Sequence, residues 1–262
     1  MKTRLDAELV RRGLARSRDH AADLIETRSV IVGGIPASKP ATQVDAETSI
    51  KIQGERDDFV SRGGHKLAGA LDAFPEINVE GKRALDAGAS TGGFTDVLIK
   101  RGVGHVVAVD VGYGQMAWEL RQDPRVSVLD RTNVRHLTIE QIGEPVDLIV
   151  ADLSFISLTL VLPALVSVSR SAADFLVMVK PQFEVGREKL GAGGVVRDPI
   201  LRKAAVQEVA DSAYDMGLGC RGVVASSLPG PSGNVEYFLW LQRGASEISE
   251  NDLEVAIAQG PQ

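Results

Sequence analysis

The chain has 262 residues and a formal net charge of -6 at pH 7, and 44% of its residues are hydrophobic. This length and composition are typical of one large globular domain with a small additional module. A single cysteine, Cys220, excludes an intramolecular disulfide, and four scattered histidines give no metal-ligand spacing, so no metal is expected. No segment has the apolar pattern of a signal peptide or a membrane span, and a cytoplasmic location is expected.

The charge is distributed unevenly along the chain. Residues 1–52 contain nine lysines or arginines against seven acidic residues, whereas the remainder contains 20 against 28. This asymmetry predicts a small basic module joined to an acidic body.

Two short helices and a pair of strands are predicted in the basic module. Apolar residues recur at helical spacing in Arg4–Gly13 and in Arg18–Thr27, and Ser17 is a predicted N-cap of the second helix. Val30–Val32 precedes two glycines, and Ile50–Ile52 is its predicted partner strand.

Basic side chains in this module are candidate RNA contacts. The alternative to RNA contacts is that these side chains form a solvated helical face. For a basic run considered alone, the solvated face is the favoured interpretation. The order Gly13-Leu14-Ala15-Arg16-Ser17-Arg18, followed by Val32-Gly33-Gly34 and Lys39-Pro40, resembles the S4 RNA-binding module. That resemblance reverses the preference and implies RNA binding by four residues: Arg4, Arg16, Arg18 and Lys39.

Strand and helix patterns alternate through the rest of the chain, which predicts an α/β fold with a parallel sheet. The predicted strands are Ala84–Asp86, Val106–Asp110, Val126–Leu129, Val146–Ala151 and Phe175–Val179. Gly222–Ala225 and Val235–Leu241 have no helix pattern between them, so an antiparallel end to the sheet is expected. A polar link at residues 53–60 is predicted to separate a domain at 1–52 from one at 61–262.

A glycine-rich turn follows the first of these strands, at Asp86-Ala87-Gly88-Ala89-Ser90-Thr91-Gly92-Gly93-Phe94. Glycines let the backbone approach a ligand, and the next helix offers free N–H groups. The spacing differs from the dinucleotide fingerprint, which disfavours a dehydrogenase. Asp110 ends the second strand, where an acid suits ribose hydroxyls, and Asp130 and Asn133 follow the third, where they suit a purine edge. A tight turn with surface acids is the alternative for each feature alone, but together they favour a nucleoside cofactor.

Charged residues also follow the later apolar segments. Asp152 ends one buried strand, Lys180 ends another, and Glu236 lies at the start of the last. Burial would favour the neutral form of such a lysine unless a partner at that place stabilises its charge. With Lys66, these residues are candidate catalytic groups, and two structural salt bridges at the sheet edge are the alternative.

The glycine-rich turn with Thr95, together with Asp110, Asp152 and Lys180-Pro181, resembles the FtsJ-like ribose 2′-O-methyltransferases. With the S4-like module, the chain resembles the TlyA family of ribosomal RNA methyltransferases. Four segments are characteristic of that family: Ser61–Lys66, Asp152–Ser157, Lys180–Glu184 and Leu228–Glu236. The resemblance implies a Rossmann-like class I methyltransferase sheet preceded by a small α+β domain, with S-adenosylmethionine as cofactor. It also implies methylation of cytidine riboses of ribosomal RNA within ribosomal subunits, which in the family influences sensitivity to cyclic peptide antibiotics.

The resemblance further implies residue roles. Lys66, Asp152, Lys180 and Glu236 match the family's catalytic tetrad, with Lys180 as the base or orienter of the hydroxyl. Cofactor contacts are implied for the following residues: Asp86, Gly88, Ser90, Thr91, Gly92, Gly93, Phe94, Asp110, Val111, Asp130, Asn133 and Asp152. The link departs from the family, because Asp57-Asp58 precede Phe59 where members can carry Arg and Trp.

Two alternatives to the enzyme stay open at this point. One is an RNA-binding ribosome-assembly factor without catalytic activity, and the other is a membrane-active haemolysin, a label attached to some relatives. The absence of a membrane span or a strongly amphipathic basic helix disfavours the haemolysin. Trp118 and Trp240 are expected to be packing residues.

Overall fold

The computed structural model describes residues 3–15, 17–45, 48–52, 59–230 and 233–260, apart from the side chain of Arg187. The chain forms two compact units, Met1–Asp58 and Phe59–Gln262. Most of the predicted link, residues 53–58, lies outside the described residues. The predicted division into 1–52, 53–60 and 61–262 therefore stays a prediction.

The first unit is a small α+β structure. Its elements are β1 (Thr3–Arg4), α1 (Leu5–Arg11), α2 (Arg18–Glu26), β2 (Val30–Val32), β3 (Ile35–Pro36), β4 (Gln43–Val44) and β5 (Ile50–Ile52). The predicted antiparallel pairing of β2 with β5 is confirmed. The apolar faces of both helices pack on β2 through Leu5, Leu9, Ala21, Ile25 and Val30.

Both helices of this unit begin for identifiable reasons. Arg4 was predicted to be helical, but it pairs with Gln43 in the β1–β4 ladder, so α1 begins one residue later. The predicted cap of α2 is confirmed, because the Ser17 hydroxyl accepts a hydrogen bond from the N–H of His20 at 3.1 Å.

The second unit alternates strands and helices, as predicted. Its strands are β6 (Arg83–Ala87), β7 (His105–Val109), β8 (Val126–Leu129), β9 (Val146–Ala151), β10 (Ser169–Val179), β11 (Leu218–Ala225) and β12 (Tyr237–Arg243). Its helices are α3 (Arg62–Ala73), α4 (Gly93–Lys100), α5 (Trp118–Arg121), α6 (Ile139–Ile142), α7 (Leu162–Ser167), α8 (Pro181–Glu184), α9 (Pro199–Tyr214) and α10 (Glu250–Gln259).

These strands form one seven-stranded sheet in the order β11-β12-β10-β9-β6-β7-β8. The five strands from β10 to β8 are parallel, whereas β12 pairs antiparallel with both β10 and β11. The predicted Rossmann-like sheet with antiparallel C-terminal strands is therefore confirmed. Its two faces are covered by separate apolar clusters, which explains why the central strands are continuously apolar.

Two expectations about this unit need correction. β10 begins at Ser169, six residues before the predicted start, because its first part is polar and exposed and so carries no apolar pattern. Trp240 is buried as predicted, but Trp118 is 71% exposed, so its predicted packing role is wrong. Met116 and Leu120, two residues to either side, occupy the buried positions instead.

Candidate active site at the centre of the sheet

The carboxyl ends of β6 and β9 lie side by side at the point where the chain order of the sheet reverses. Ala87 and Ala151 are paired in parallel register, with β7 beyond β6 and β10 beyond β9. In open α/β sheets such a switch point is the usual ligand crevice. The residues that follow these strands, Gly88 and Asp152, both line a cavity there.

The glycine-rich turn packs tightly against the segment that follows β9. Gly88 has a φ of +88°, and a Cβ at this position would lie 2.5 Å from the carbonyl oxygen of Asp152. The N–H of Asp152 in turn donates to the carbonyl of Ala87 at 3.0 Å. Only glycine combines this backbone conformation with this approach, so the turn and the segment after β9 hold each other in place.

The four candidate catalytic residues come from four separate elements. Lys66 lies on α3, Asp152 follows β9, Lys180 follows β10, and Glu236 immediately precedes β12. Lys66 Nζ lies 2.5 Å from Glu236 Oε2, and Lys180 Nζ lies 2.6 Å from Asp152 Oδ1. Both lysines are 8% exposed and Glu236 is 1% exposed. The structure thus forms two ion pairs that are largely shielded from water. In such surroundings each charge depends on its partner for stabilisation.

Both ion pairs line the same cavity, which has a volume of about 1150 Å³. Residues of the glycine-rich turn, Gly88 and Ser90, line it as well. The cavity therefore joins the predicted cofactor turn to the predicted catalytic groups, and it is large enough for a nucleoside-sized ligand.

Three carboxyl or amide oxygens of cavity residues are buried without a hydrogen-bond partner in the described part of the chain. These atoms are Glu236 Oε1, Gln182 Oε1 and Asp152 Oδ1, of which the last lies within ion-pair distance of Lys180 Nζ. A buried acceptor left without a donor costs about 1–3 kcal/mol, so it marks a place where a ligand or water supplies the donor. Gly230 lies against the first of them, because a Cβ there would be 2.5 Å from Glu236 Oε1.

Asp110 occupies the position expected for a ribose-binding acid. Its Oδ2 accepts from the N–H of Ser90 at 2.8 Å, and its Oδ1 accepts from the N–H of Gly112 at 2.7 Å. Each carboxylate oxygen can accept a second hydrogen bond. The residue therefore connects the glycine-rich turn to the loop after β7 and still has capacity for a diol.

Asp86 is placed differently from the other predicted cofactor residues. Its side chain is fully buried, its Oδ2 accepts from the Thr95 hydroxyl at 2.7 Å, and its Oδ1 has no described partner. Burial, reinforced by the charges of Asp152 and Asp110, raises the pKa of Asp86 to about 7. Since it has no exposed surface, we propose that Asp86 supports the turn through Thr95 rather than touching the cofactor.

The other predicted cofactor residues differ in their contacts. Asp130 is ion-paired with Arg121, whose hydrogen bond lowers the pKa of this carboxyl. Asn133 caps a short 3₁₀ helix by accepting from the N–H of Arg135, and Val111 is exposed. Three further positions serve the packing of the turn: Thr91 accepts from Ala117 N–H, Gly93 lies against Ser61 Oγ, and Phe94 is stacked on Phe238.

Sequence reasoning assigned no role to several residues that surround the tetrad. Ser154 accepts a hydrogen bond from Lys180, and Glu184 accepts from Ser157 and from the N–H of Leu158. Asn234 is buried and bonds to Val196 and Gly194. These residues lie within the segments that resemble the family, so the sequence did point to them. Their roles were missed because their partners lie far away in the chain.

The predicted RNA-binding residues lie in the first unit, which is described here by itself. Arg4 and Arg18 both form ion pairs with the buried Asp6, at 3.0 and 2.8 Å, and hydrogen bonding to them holds the pKa of Asp6 far below its ordinary value. Lys39 is exposed, and Arg16 lies outside the described residues. The two arginines are half-exposed, so they are oriented by Asp6 while their outer faces remain open to solvent.

Two searches bear on other site types. Within the ranges that the structure covers, no group of three or more histidine, cysteine, aspartate or glutamate side chains could hold a metal ion. Among those same residues no helix is both long and apolar enough to cross a membrane.

Comparison with known protein families identifies both units. The model of the FtsJ-like methyltransferases matches residues 59–243, and that of the S4 domain matches residues 3–50. The chain belongs to the FtsJ-like methyltransferase family. Its S4 domain precedes the methyltransferase domain, as the sequence predicted.

Curated relatives extend over nearly the whole of this FtsJ-like methyltransferase. It is 58% identical to the 16S/23S rRNA (cytidine-2′-O)-methyltransferase TlyA of Mycobacterium tuberculosis, over 99% of both chains. It is 41% identical to YqxC of Bacillus subtilis, over 92% of this chain and 85% of the relative. A solved structure from Streptococcus thermophilus that carries a haemolysin name is 35% identical, with a TM-score of 0.80 over 98% of this chain and 95% of that one.

Proposed function

We propose that this chain transfers a methyl group from S-adenosylmethionine to the ribose 2′-hydroxyl of a cytidine in ribosomal RNA, acting on ribosomal subunits in the cytoplasm. The observation that carries the proposal is the pair of buried ion pairs, Lys66–Glu236 and Lys180–Asp152, at one cavity with the glycine-rich turn. The tuberculosis relative, named for this reaction, supports the choice of substrate.

The residues of the turn fit a nucleoside cofactor with a charged sulfonium. Gly88 and Ser90 line the cavity, Asp110 suits the ribose diol, and Asp130 and Asn133 follow β8 on the same side of the sheet. When bound, S-adenosylmethionine supplies a methyl group activated by the sulfonium charge. The carboxylates of this acidic domain favour that positive charge.

The lysines and carboxylates divide the work on the hydroxyl. Lys180 takes or orients the proton that the ribose hydroxyl loses, and Asp152 fixes the position of its amine. In the other ion pair, Glu236 fixes the position of the Lys66 amine in the same way. A ribose hydroxyl is a weak acid, so both positioning and local charge are needed for its attack on the methyl carbon.

RNA docking is assigned to the S4 domain. Arg4, Arg16, Arg18 and Lys39 would contact phosphates, because the acidic methyltransferase domain repels an RNA backbone. The division of the chain into an RNA-binding domain at 1–52, a link at 53–60 and a catalytic domain at 61–262 belongs to this proposal.

The test is transfer of tritiated methyl groups from labelled S-adenosylmethionine to separated small and large ribosomal subunits, followed by mapping of the modified ribose. We expect label on a cytidine 2′-oxygen with the native chain and none with Lys180→Ala, whose cofactor affinity should stay within a few-fold. Near-normal turnover by Lys180→Ala would remove Lys180 from the mechanism.

The two alternatives give other outcomes in the same preparations. Subunit binding without any transfer would support a non-catalytic assembly factor. A relative from Brachyspira hyodysenteriae is named Hemolysin A and is 35% identical, so leakage of dye from liposomes is the matching assay for that activity. Leakage without transfer would contradict the proposal.

A further inference from the structure

The amine of Lys180 has two polar contacts, and the mechanism above uses only one of them. Its Nζ is paired with Asp152 Oδ1 at 2.6 Å, and it donates a hydrogen bond to Ser154 Oγ at 2.9 Å. Lys180 is nearly buried, whereas Ser154 is exposed and lines the cavity. The Ser154 hydroxyl therefore accepts a hydrogen bond from the Lys180 amine at the cavity wall.

The segment that carries Ser154 is held at both ends by the short segment that begins with Lys180. At one end Lys180 binds Asp152 and Ser154. At the other end Glu184 Oε2 accepts from the Ser157 hydroxyl at 2.5 Å, and Glu184 Oε1 accepts from the N–H of Leu158 at 3.0 Å. The position of Ser154 is thus set by a closed network of side chains.

Backbone strain next to Ser154 agrees with this arrangement. Phe155 has a φ of +64°, a left-handed conformation that side chains other than glycine rarely adopt. Such a conformation costs about 1–3 kcal/mol and persists only where the surroundings hold it. The network around Glu184 supplies those surroundings, so the serine hydroxyl is kept beside Lys180 at an energetic cost.

We infer that Ser154 is a positioning residue for Lys180, which it aims at the ribose hydroxyl of the substrate. An ammonium group has three protons in fixed directions, and one of them is donated to Ser154 Oγ. Fixing one proton fixes the rotation of the amine about its Cε–Nζ bond, and so also the direction of the lone pair when the amine is neutral. The ion pair with Asp152 does not fix this rotation, because Asp152 Oδ1 accepts no hydrogen bond from the described residues. Without Ser154 the amine can turn, and the lone pair loses its direction. This inference rests on the proposed function.

The test compares Ser154→Ala and Ser154→Thr with the native chain in single-turnover methyl transfer to the labelled subunit. A hydrogen bond to a charged group contributes about 1.5–3 kcal/mol, so we expect Ser154→Ala to slow the methyl-transfer step by roughly 10- to 100-fold. Cofactor and RNA affinities should stay within twofold, and Ser154→Thr, which keeps the hydroxyl, should recover most of the rate.

The split between rate and affinity separates positioning from a structural effect. The Ser154 hydroxyl contacts Lys180, so its removal should lower the single-turnover rate at saturating cofactor and RNA and leave KM for RNA unchanged. The matched control is Ser167→Ala, which removes an exposed hydroxyl that donates to the carbonyl of Ala164. We expect it to leave both the rate and KM within twofold of native.

Several outcomes would overturn the inference. A rate within twofold of native for Ser154→Ala would do so, as would a defect confined to KM for RNA, or an equal rate loss in Ser154→Ala and Ser154→Thr. Failure of the proposed function is distinguishable, because the native chain itself would then transfer no methyl group to ribose.

Discussion

At the scale of single residues, the site is defined by ion pairs that are largely shielded from water. Lys66, Lys180 and Glu236 are each less than a tenth exposed. Removing one partner from such a pair leaves an unpaired buried charge, which costs several kcal/mol. The same argument explains why Lys180 was identifiable from its place at the end of an apolar segment, whereas Lys66, inside α3, was assigned through the family resemblance.

Asp86 shows where this argument reaches its limit. The family resemblance implied cofactor contact for Asp86, but the structure buries its side chain completely against Thr95. The sequence could not distinguish cofactor contact from support of the turn, because a carboxyl at the end of a strand can face either the crevice or the helix behind it.

We predict that Asp86→Asn changes how stability depends on pH. Burial raises the pKa of Asp86 from 3.8 to about 7, so the native state holds a proton that the unfolded state has lost within this window. The native chain should therefore lose stability as the pH rises from about 4 to 7, by at most about 4 kcal/mol from this residue.

The measurement is urea unfolding, followed by tryptophan fluorescence, at several pH values across this window. The free energy of unfolding of the native chain minus that of Asp86→Asn should fall as the pH rises. Asp211→Asn, at an exposed helical position, is the control for loss of one carboxylate. A difference that stays constant from pH 4 to 7 would contradict the prediction.

At the scale of elements, the parallel strands and the turn between β6 and α4 place the site. Apolar segments and their order predicted the strands well, because strands buried on both faces are continuously apolar. The polar start of β10 and the exposure of Trp118 were missed, since both depend on which face a neighbouring element covers.

The glycine-rich turn gives a second prediction, for Gly92→Ala. Gly92 has a φ of +97°, and a Cβ there would lie 2.5 Å from Leu120 Cδ1. The left-handed conformation costs alanine about 1–2 kcal/mol, and displacement of Leu120 adds about 1–3 kcal/mol. We expect both lower stability and weaker cofactor binding, because Leu120 moves together with the turn.

The matched control is Gly217→Ala, which has a φ of +81° and open space around the added methyl group. It should show the conformational cost alone and leave cofactor affinity unchanged. Stability is measured by thermal unfolding and cofactor affinity by calorimetry. Equal effects of the two substitutions on both quantities would mean that the Leu120 contact is unimportant.

At the scale of the whole molecule, charge is divided unevenly between residues 1–52 and the remainder of the chain. The first 52 residues have an excess of basic residues, and the remainder has 20 basic against 28 acidic residues. Asp6 neutralises part of the basic charge in the first unit by pairing with Arg4 and Arg18. Arg4 and Arg18, which we assign to phosphate contacts, are therefore oriented before RNA binds, which reduces the entropy lost on binding.

We predict that removal of residues 1–52 leaves cofactor affinity unchanged and sharply weakens binding to the ribosomal subunit. The remaining domain keeps both apolar clusters of its own sheet, so it should stay folded. Loss of phosphate contacts should also make binding less dependent on salt concentration. The methyl-transfer rate at saturating RNA should change much less than the affinity.

Filter binding at several salt concentrations, together with single-turnover transfer, measures these quantities. The full-length chain with Lys51→Gln controls for the loss of one positive charge outside the proposed contacts. If the truncated protein methylated subunits with full efficiency, the S4 domain would not be the docking element.

The sequence by itself determined the class of fold, the order of strands and helices and the glycine-rich turn. These depend on local patterns, such as apolar runs, caps and turn residues, that a linear chain displays directly. Resemblance to a known family added the prediction of the four tetrad residues. Only the tertiary structure decided how the tetrad pairs, Lys66 with Glu236 and Lys180 with Asp152, and that Ser154 and Glu184 support it. Contacts between residues far apart in the chain depend on which strands become neighbours and which faces are covered, and local pattern does not encode these distances.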